Sequence, residues 1–176
     1  MSDTDLIKNC LRGSMESYRE LMIKYKDYAM AVALNVLTNY EDAQDVCQEA
    51  FFKAFQNLAQ FDLQKNFKNW FYALLFHKCL DHLRKQKRFA GMLGKFRKET
   101  SIENSLQPEN EAFSHSTELQ LLNRLNPKER ISLYLWSQEG YSGPEIASVL
   151  GCSSKTAHVY LYKARTKLKA LLREKK

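Results

Sequence analysis

The spacing of the apolar residues constrains this chain most. They recur at three and four positions along nearly its whole length, and no stretch keeps the two-residue alternation of a strand. Only six glycines and three prolines interrupt the pattern, so helices can run long and the expected fold class is all-α. A chain of 176 residues, 44% of them hydrophobic, has room for one ordinary domain or two small ones with real cores.

A first helix is expected to begin near Asp3 to Asp5 and to break at Gly13. A second runs from about Ser14 to Leu37, with Tyr18, Leu21, Met22, Tyr25 and Ala29 on one stripe. After a break at Thr38 to Tyr40, a third starts at Glu41 and turns Ala43, Val46, Cys47, Ala50, Ala54 and Leu58 inward. "FDLQK" from Phe61 to Lys65 is a short loop, and a fourth helix follows from Phe67 to Arg88, aromatic at its start and basic at its end. From Phe89 to about Ser116 the period dissolves among Gly91, Gly94, Pro108 and polar residues, the composition of a flexible linker. The expected organisation is therefore a helical domain over residues 1–90, a linker over 91–116 and a second helical domain over 117–176.

The formal charge of +7 favours a polyanionic partner, nucleic acid ahead of a membrane surface, because clustered Lys and Arg displace counterions from phosphates. "MSDTDLIKNC" lacks the apolar stretch of a secretory signal, and "AMAVAL" and "FYALLF" are too short to cross a bilayer, so a cytoplasmic protein is expected. Cys10, Cys47, Cys79 and Cys152 lie far apart without a CxxC pair, which argues against a zinc knuckle or a disulfide framework. No nucleophile and base pair up among the histidines and cysteines, and there is no glycine-rich phosphate loop. Binding is the expected work, with no metal and no cofactor.

The C-terminal third carries the clearest motif, "SGPEIASVLGCSSKTAHVYLYKAR". Ser142 with Glu145 three residues on is a capping box, and Pro144 sits in the first turn of the helix it starts. Gly151 stops that helix, Ser153 caps the next, and Ala157, Leu161, Ala164, Leu168 and Leu171 form a stripe that packs on Ile146, Ala147 and Leu150. This is the pattern of a DNA-reading helix-turn-helix, against the plainer alternative of a helical hairpin with a solvated charged face. It puts Ser154, Lys155, His158, Val159 and Tyr162 at the front of the second helix as candidates for base edges. Lys163, Arg165, Lys167 and Lys169 suit phosphates. His158 is either a hydrogen-bonding group in the major groove or simply exposed, and Tyr160 is expected to pack half-buried against the preceding helices.

In the first half, "EDAQDVCQEAFFKAFQNL" is apolar within and acidic without, through Asp42, Asp45 and Glu49. An acidic helix in a basic protein points to a basic protein partner or, more plainly, to a solubilised surface. Next to it stand Phe67, Trp70, Phe71, Tyr72 and Phe76, on a helix that ends in Arg84, Lys85, Lys87 and Arg88. Aromatics beside cations can hold unstacked bases while gripping a backbone, although most of these rings are needed as core.

The order of segments, "EDAQDVCQEAFFKAFQNL", then "FKNWFYALLFHKCLDHLRKQKR", a linker, and "LNRLNPKERISLYLWSQEGYSGPEIASVLGCSSKTAHVYLYKARTKLKALL", resembles the bacterial sigma factors of the extracytoplasmic-function group. The first block is similar to the family's region two and the second to its region four. The resemblance implies a protein that binds RNA polymerase core, brings it to promoters and helps open the duplex. It implies that Asp42, Asp45, Gln48 and Glu49 dock on the clamp helices of the largest polymerase subunit, with the flap of the second-largest subunit as a further partner. It implies that the loop Phe61 to Phe67, with Lys65 and Asn66, captures a flipped base of the minus-ten element, flanked by Trp70, His77, Lys78, Asp81 and Arg84. Arg84 and Lys85 then suit backbone phosphates. Lys155, His158, Val159, Tyr162, Lys163 and Arg165 fall where the family reads the minus-thirty-five element. His158 and Tyr160 depart from residues commonly basic there, which touches the promoter sequence and not the role. An anti-sigma factor is a further implied partner. The alternative from another class is a stand-alone helix-turn-helix regulator, and a third is a scaffold with basic termini.

Overall fold

A computed structural model describes residues 1–99 and 121–174, with side chains described outside residues 93–99 and 174. The described residues form helices and one short 3-10 turn, with no strand among them. The linker expected over 91–116 lies outside them from residue 100 on.

Local polar signals start the helices. Ser2 and Asp5 form a capping box for α1 (Asp3–Leu11), and Ser14 accepts from the Ser17 amide to start α2 (Met15–Leu37). Thr38, in the left-handed region at φ 58°, ends α2. Asn39 then accepts from the Asp42 amide at 2.9 Å and caps α3 (Tyr40–Asn57). Inside this bundle α2 turns Tyr18, Leu21, Tyr25, Ala29, Val32 and Val36 onto Ala43, Val46, Cys47, Ala50 and Ala54 of α3 and onto Phe67, Phe71, Leu75 and Phe76 of the following helix. Met22, expected on that stripe, is 37% exposed, because the seam follows the shorter steps to Leu21 and Tyr25 and leaves Met22 beside it. Phe71 and Phe76 are almost fully buried, worth about 2–3 kcal/mol each in apolar burial. Burial also pushes the thiols of Cys47 and Cys79 up to about 12, which keeps them inert.

α4 covers Phe67–Glu99, eleven residues beyond the expected stop at Arg88. Gly91 and Gly94 each cost a helix about 1 kcal/mol, and the Leu, Met, Lys and Arg around them are strong helix formers, so the two glycines weaken the helix without ending it.

The second group holds α5 (Pro127–Ser137), α6 (Gly143–Leu150) and α7 (Ser154–Glu174). Asn126 and Glu129 form a capping box for α5 that has the same logic as the one at α6. Gly151, at φ 60°, makes the tight turn out of α6 in a conformation that a side chain would strain. Ile131 and Leu135 of α5, Ile146 and Leu150 of α6, and Ala157, Leu161 and Ala164 of α7 close the core, while Leu168 and Leu171 remain half-exposed near the end of the helix.

The two groups share one continuous core. Polar contacts join them at the start of α4. Glu139 is almost buried, accepts from the Tyr72 hydroxyl at 3.3 Å and pairs with Lys68, while the Tyr141 hydroxyl donates to Asn69. Lys68 Nζ also lies 5.4 Å and 5.5 Å from the ring centres of Tyr28 and Tyr72. Burial, and after it the Glu139 carboxylate, push the Tyr72 phenol well up.

Candidate nucleic-acid interface

The helix-turn-helix forms as its caps dictate. Ser142 donates to Glu145 at 2.6 Å while its amide binds the same carboxylate at 2.8 Å, and these bonds hold the Glu145 carboxyl below its usual range. Ser153 accepts from the Thr156 amide at 3.2 Å and fixes the start of α7. Ala157 and Ala164, both fully buried, let α7 approach its neighbours closely.

With that stripe buried, Lys155, His158, Val159 and Tyr162 share the outward face of α7. Tyr162 is 71% exposed, the extended ring of a residue with little intramolecular work. Ser154 is half-buried at the first turn and Lys163 is exposed further along. Tyr160 packs half-buried as expected, beneath Lys128, whose Nζ sits 5.5 Å from the ring centre.

Two cations of α7 have partners inside the protein. The Arg165 guanidinium stacks 4.8 Å from the centre of the Trp136 ring. Lys167, grouped by sequence with the phosphate contacts, donates to both oxygens of Glu129 at 2.8 Å and 3.0 Å. Sequence reasoning missed Glu129, although "NPKE" carries a capping signal like that of "SGPE". Its partner stands 38 positions away, beyond the reach of any local pattern.

In the first group the acidic face of α3 and the basic end of α4 meet. Lys78 donates to Glu49 at 2.9 Å, and that bond is the main cause holding the Glu49 carboxyl below its usual range. His82 and Gln86 reach Asp42 at 3.1 Å and 2.8 Å. Asp45 and Gln48 stay exposed on the same helix. Lys78, Lys85, Arg88, Asp81, His82 and Glu49 line one small polar cleft. Arg84 bonds Asp81 one turn back at 2.7 Å, while the His77 ring stays local, 2.6 Å from the Ala73 carbonyl.

The loop before α4 is built from turn chemistry. Asp62 accepts from the Gln64 amide at 3.0 Å, and Asn66 caps α4 by accepting from the Asn69 amide at 3.1 Å. Lys65 and Asn66 are exposed between two buried anchors, Phe61 and Phe67. Of the five rings weighed from sequence, Phe67, Phe71, Tyr72 and Phe76 are core, and only Trp70 is half-exposed, 5.1 Å from the Phe61 ring and 5.5 Å from the Phe67 ring.

Among the described residues, apolar side chains line two grooves at the surface. Met15, Met22, Tyr40, Phe52 and Phe55 line a groove between α2 and α3, beside the acidic face. Leu133, Leu161, Leu168 and Leu172, with Tyr162 and Arg165, line another along α7. Among the described residues no helix is long and apolar enough to cross a membrane.

Residues 21–89 match the family model of sigma-70 region 2, and residues 118–168 match that of sigma-70 region 4. The chain is 26% identical to the ECF RNA polymerase sigma factor SigW of Bacillus subtilis, over 96% of this chain and 95% of that one. It is 29% identical to the RNA polymerase sigma-H factor of Pseudomonas aeruginosa, over 98% and 96% of the two chains. Among solved structures, CnrH, determined in complex with the cytosolic domain of CnrY, superposes with a TM-score of 0.70 at 25% identity over 99% of both chains. The sigma factor RpoE of Bartonella quintana, determined with the anti-sigma factor NepR, has the same fold, with a TM-score of 0.68 at 21% identity over 90% of this chain and 98% of that one.

Proposed function

Because this chain belongs to the sigma-70 family, as a sigma factor of the extracytoplasmic-function group, we propose how its two helical groups divide the work of promoter-specific initiation. The role is one of binding and not of bond-making. Residues 1–90 are the docking and minus-ten domain, residues 117–176 are the minus-thirty-five domain, and 91–116 connect them.

The observation that carries this reading is the pairing, in one chain, of a helix-turn-helix with an exposed reading face and an acidic helix flanked by an apolar groove. A lone DNA reader has little use for the second feature. Asp45, Gln48, Glu49 and Asp42 dock on the clamp helices of the largest polymerase subunit, and Met22, Phe52 and Phe55 beside them extend that face with apolar area. The far end of the α7 groove, lined by Leu168 and Leu172 beyond the DNA-facing Tyr162 and Arg165, takes the flap of the second-largest subunit.

On DNA, Lys155, Ser154, His158, Val159 and Tyr162 meet base edges of the minus-thirty-five element, and Lys163 and Arg165 meet its phosphates. Lys65, Asn66 and Trp70 receive a displaced base of the minus-ten element, while Arg84 and Lys85 hold the backbone. Lys78 joins them only when its bond to Glu49 yields. The start of α4, beside Trp70, carries Lys68, Asn69 and Tyr72, which contact the other group, so the two groups part when both elements are engaged. CnrH was solved with the cytosolic domain of CnrY and RpoE with the anti-sigma factor NepR, and an anti-sigma factor covering the acidic and apolar face of α3 is the matching partner here.

Binding to one promoter fragment at physiological salt, with and without core polymerase, tests this reading against a stand-alone regulator. The protein alone is expected to bind weakly and nearly without sequence preference, and core is expected to confer tight, selective binding. Full selective affinity without core would contradict it.

A further inference from the structure

His158 touches a glycine that has no backbone reason to be one. Gly13, Gly140 and Gly151 all have positive φ, and nothing lies within 4 Å of where a Cβ would stand on any of them, so glycine serves the backbone at those places. Gly143 is the reverse. It is the first residue of α6, in ordinary helical conformation, where alanine is the better helix former. A Cβ there would lie 2.4 Å from His158 Nε2, 2.7 Å from Cε1 and 3.0 Å from Cδ2. Real contacts of that kind do not occur, so the imidazole occupies the space that a side chain at 143 would need.

His158 is otherwise exposed, and no hydrogen bond of its ring competes with this contact for control of its rotamer among the described residues. Its neighbours on the outward face are Val159, the next residue, and Lys155 and Tyr162, one turn to either side. A flexible ring in that position reads no base consistently, whereas a ring whose Nε2 end is seated on α6 holds its Nδ1 side in one place each time.

We propose that Gly143 is a positioning residue for promoter choice: by lacking a side chain it seats the His158 imidazole against the start of α6, and the seated ring fixes the preference at one base pair of the minus-thirty-five element. This rests on the reading of α7 as the recognition helix. Gly143 itself touches no base. Because the clashing atoms belong to the far end of an exposed side chain, a methyl group at 143 displaces the ring and leaves the fold standing.

The test is transcription by core polymerase with the full chain on a set of promoters carrying every single-base change in the minus-thirty-five element. It compares Gly143→Ala, His158→Ala and the double variant, with Lys155→Ala and Tyr162→Ala alongside. Gly143→Ala is expected to melt no lower than the parent and to alter relative promoter strength by about tenfold at one base pair, the scale of one good base contact. His158→Ala is expected to change the same base pair, and Gly143→Ala to add nothing once His158 is gone. An unchanged profile in Gly143→Ala, or an equal change in the His158→Ala background, overturns the proposal. If Lys155→Ala and Tyr162→Ala alter the profile in that case, the recognition-helix reading survives without it. If no α7 variant alters the profile, both fail together.

Discussion

Replacing both Asp45 and Glu49 by lysine is expected to weaken binding to core polymerase by at least about a hundredfold, because like charges brought together at an interface cost several kcal/mol. Both residues lie on the outward side of α3, whose inward side is held by Ala43, Val46, Cys47 and Ala50, so the change of sign leaves the packing intact. At position 49 the new ammonium meets Lys78, now 2.9 Å from the carboxylate, but Glu49 is 56% exposed and both chains can swing into water. The melting temperature should therefore change little while core affinity collapses, as read by co-elution with core or by surface-immobilised binding. Unaltered core binding by the double variant would remove the docking role from this face. Release of Lys78 from Glu49 adds a subsidiary signature: binding of the variant to DNA without core should strengthen, and with a steeper salt dependence.

Glu129→Ala is expected to destabilise the second helical group by about 3 kcal/mol, about 1 from the reciprocal capping-box hydrogen bond to the Asn126 amide and about 2 from the charge-assisted hydrogen bonds to Lys167. The side chain of Glu129 is 1% exposed, and its carboxylate accepts from the Asn126 amide at 3.0 Å and from Lys167 at 2.8 Å and 3.0 Å. It thus joins the start of α5 to the middle of α7, the proposed recognition helix. Lys167→Ala should also destabilise, since it leaves a buried carboxylate with only its backbone partner. It should hardly change the salt dependence of DNA binding, whereas Lys163→Ala should lower it, because Lys163 is exposed and the Lys167 charge is already paired with Glu129. Urea unfolding followed by circular dichroism, together with binding at several salt concentrations, separates the two roles. A variant at 167 that keeps full stability and loses the salt slope would return Lys167 to the phosphate contacts.

The features that sequence made legible are those set by neighbours along the chain. Ser2 with Asp5, Ser14, and Ser142 with Glu145 cap helices within one turn, and Gly151 ends one by its own conformational range, so starts and stops fall close to where they were expected. Buried alanines at 43, 50, 54, 157 and 164 were likewise plain from their spacing. The run of α4 past Phe89 was not, because Gly91 and Gly94 are local breaker signals that cost only about 1 kcal/mol each in a helix whose other residues favour it. Met22 stays exposed because a helical stripe four residues wide includes positions beside the seam as well as on it. The pairs that decide which cations remain available to DNA, Lys78 with Glu49 and Lys167 with Glu129, join residues 29 and 38 positions apart. Nor does any period announce Lys68, Asn69 and Tyr72 as the contact between the groups. Charge tells a reader that phosphates are wanted, and only the fold tells which lysines are left to meet them.

The most direct test of the central claim, that one chain both docks on polymerase and selects its promoters, is transcription from a randomised promoter library by purified core polymerase with this protein added. Sequencing of the transcript starts is expected to reveal starts that depend on the protein and share two motifs at a fixed separation, upstream of each start. No protein-dependent starts, or starts sharing a single motif that the protein already binds at full strength without core, would contradict the account.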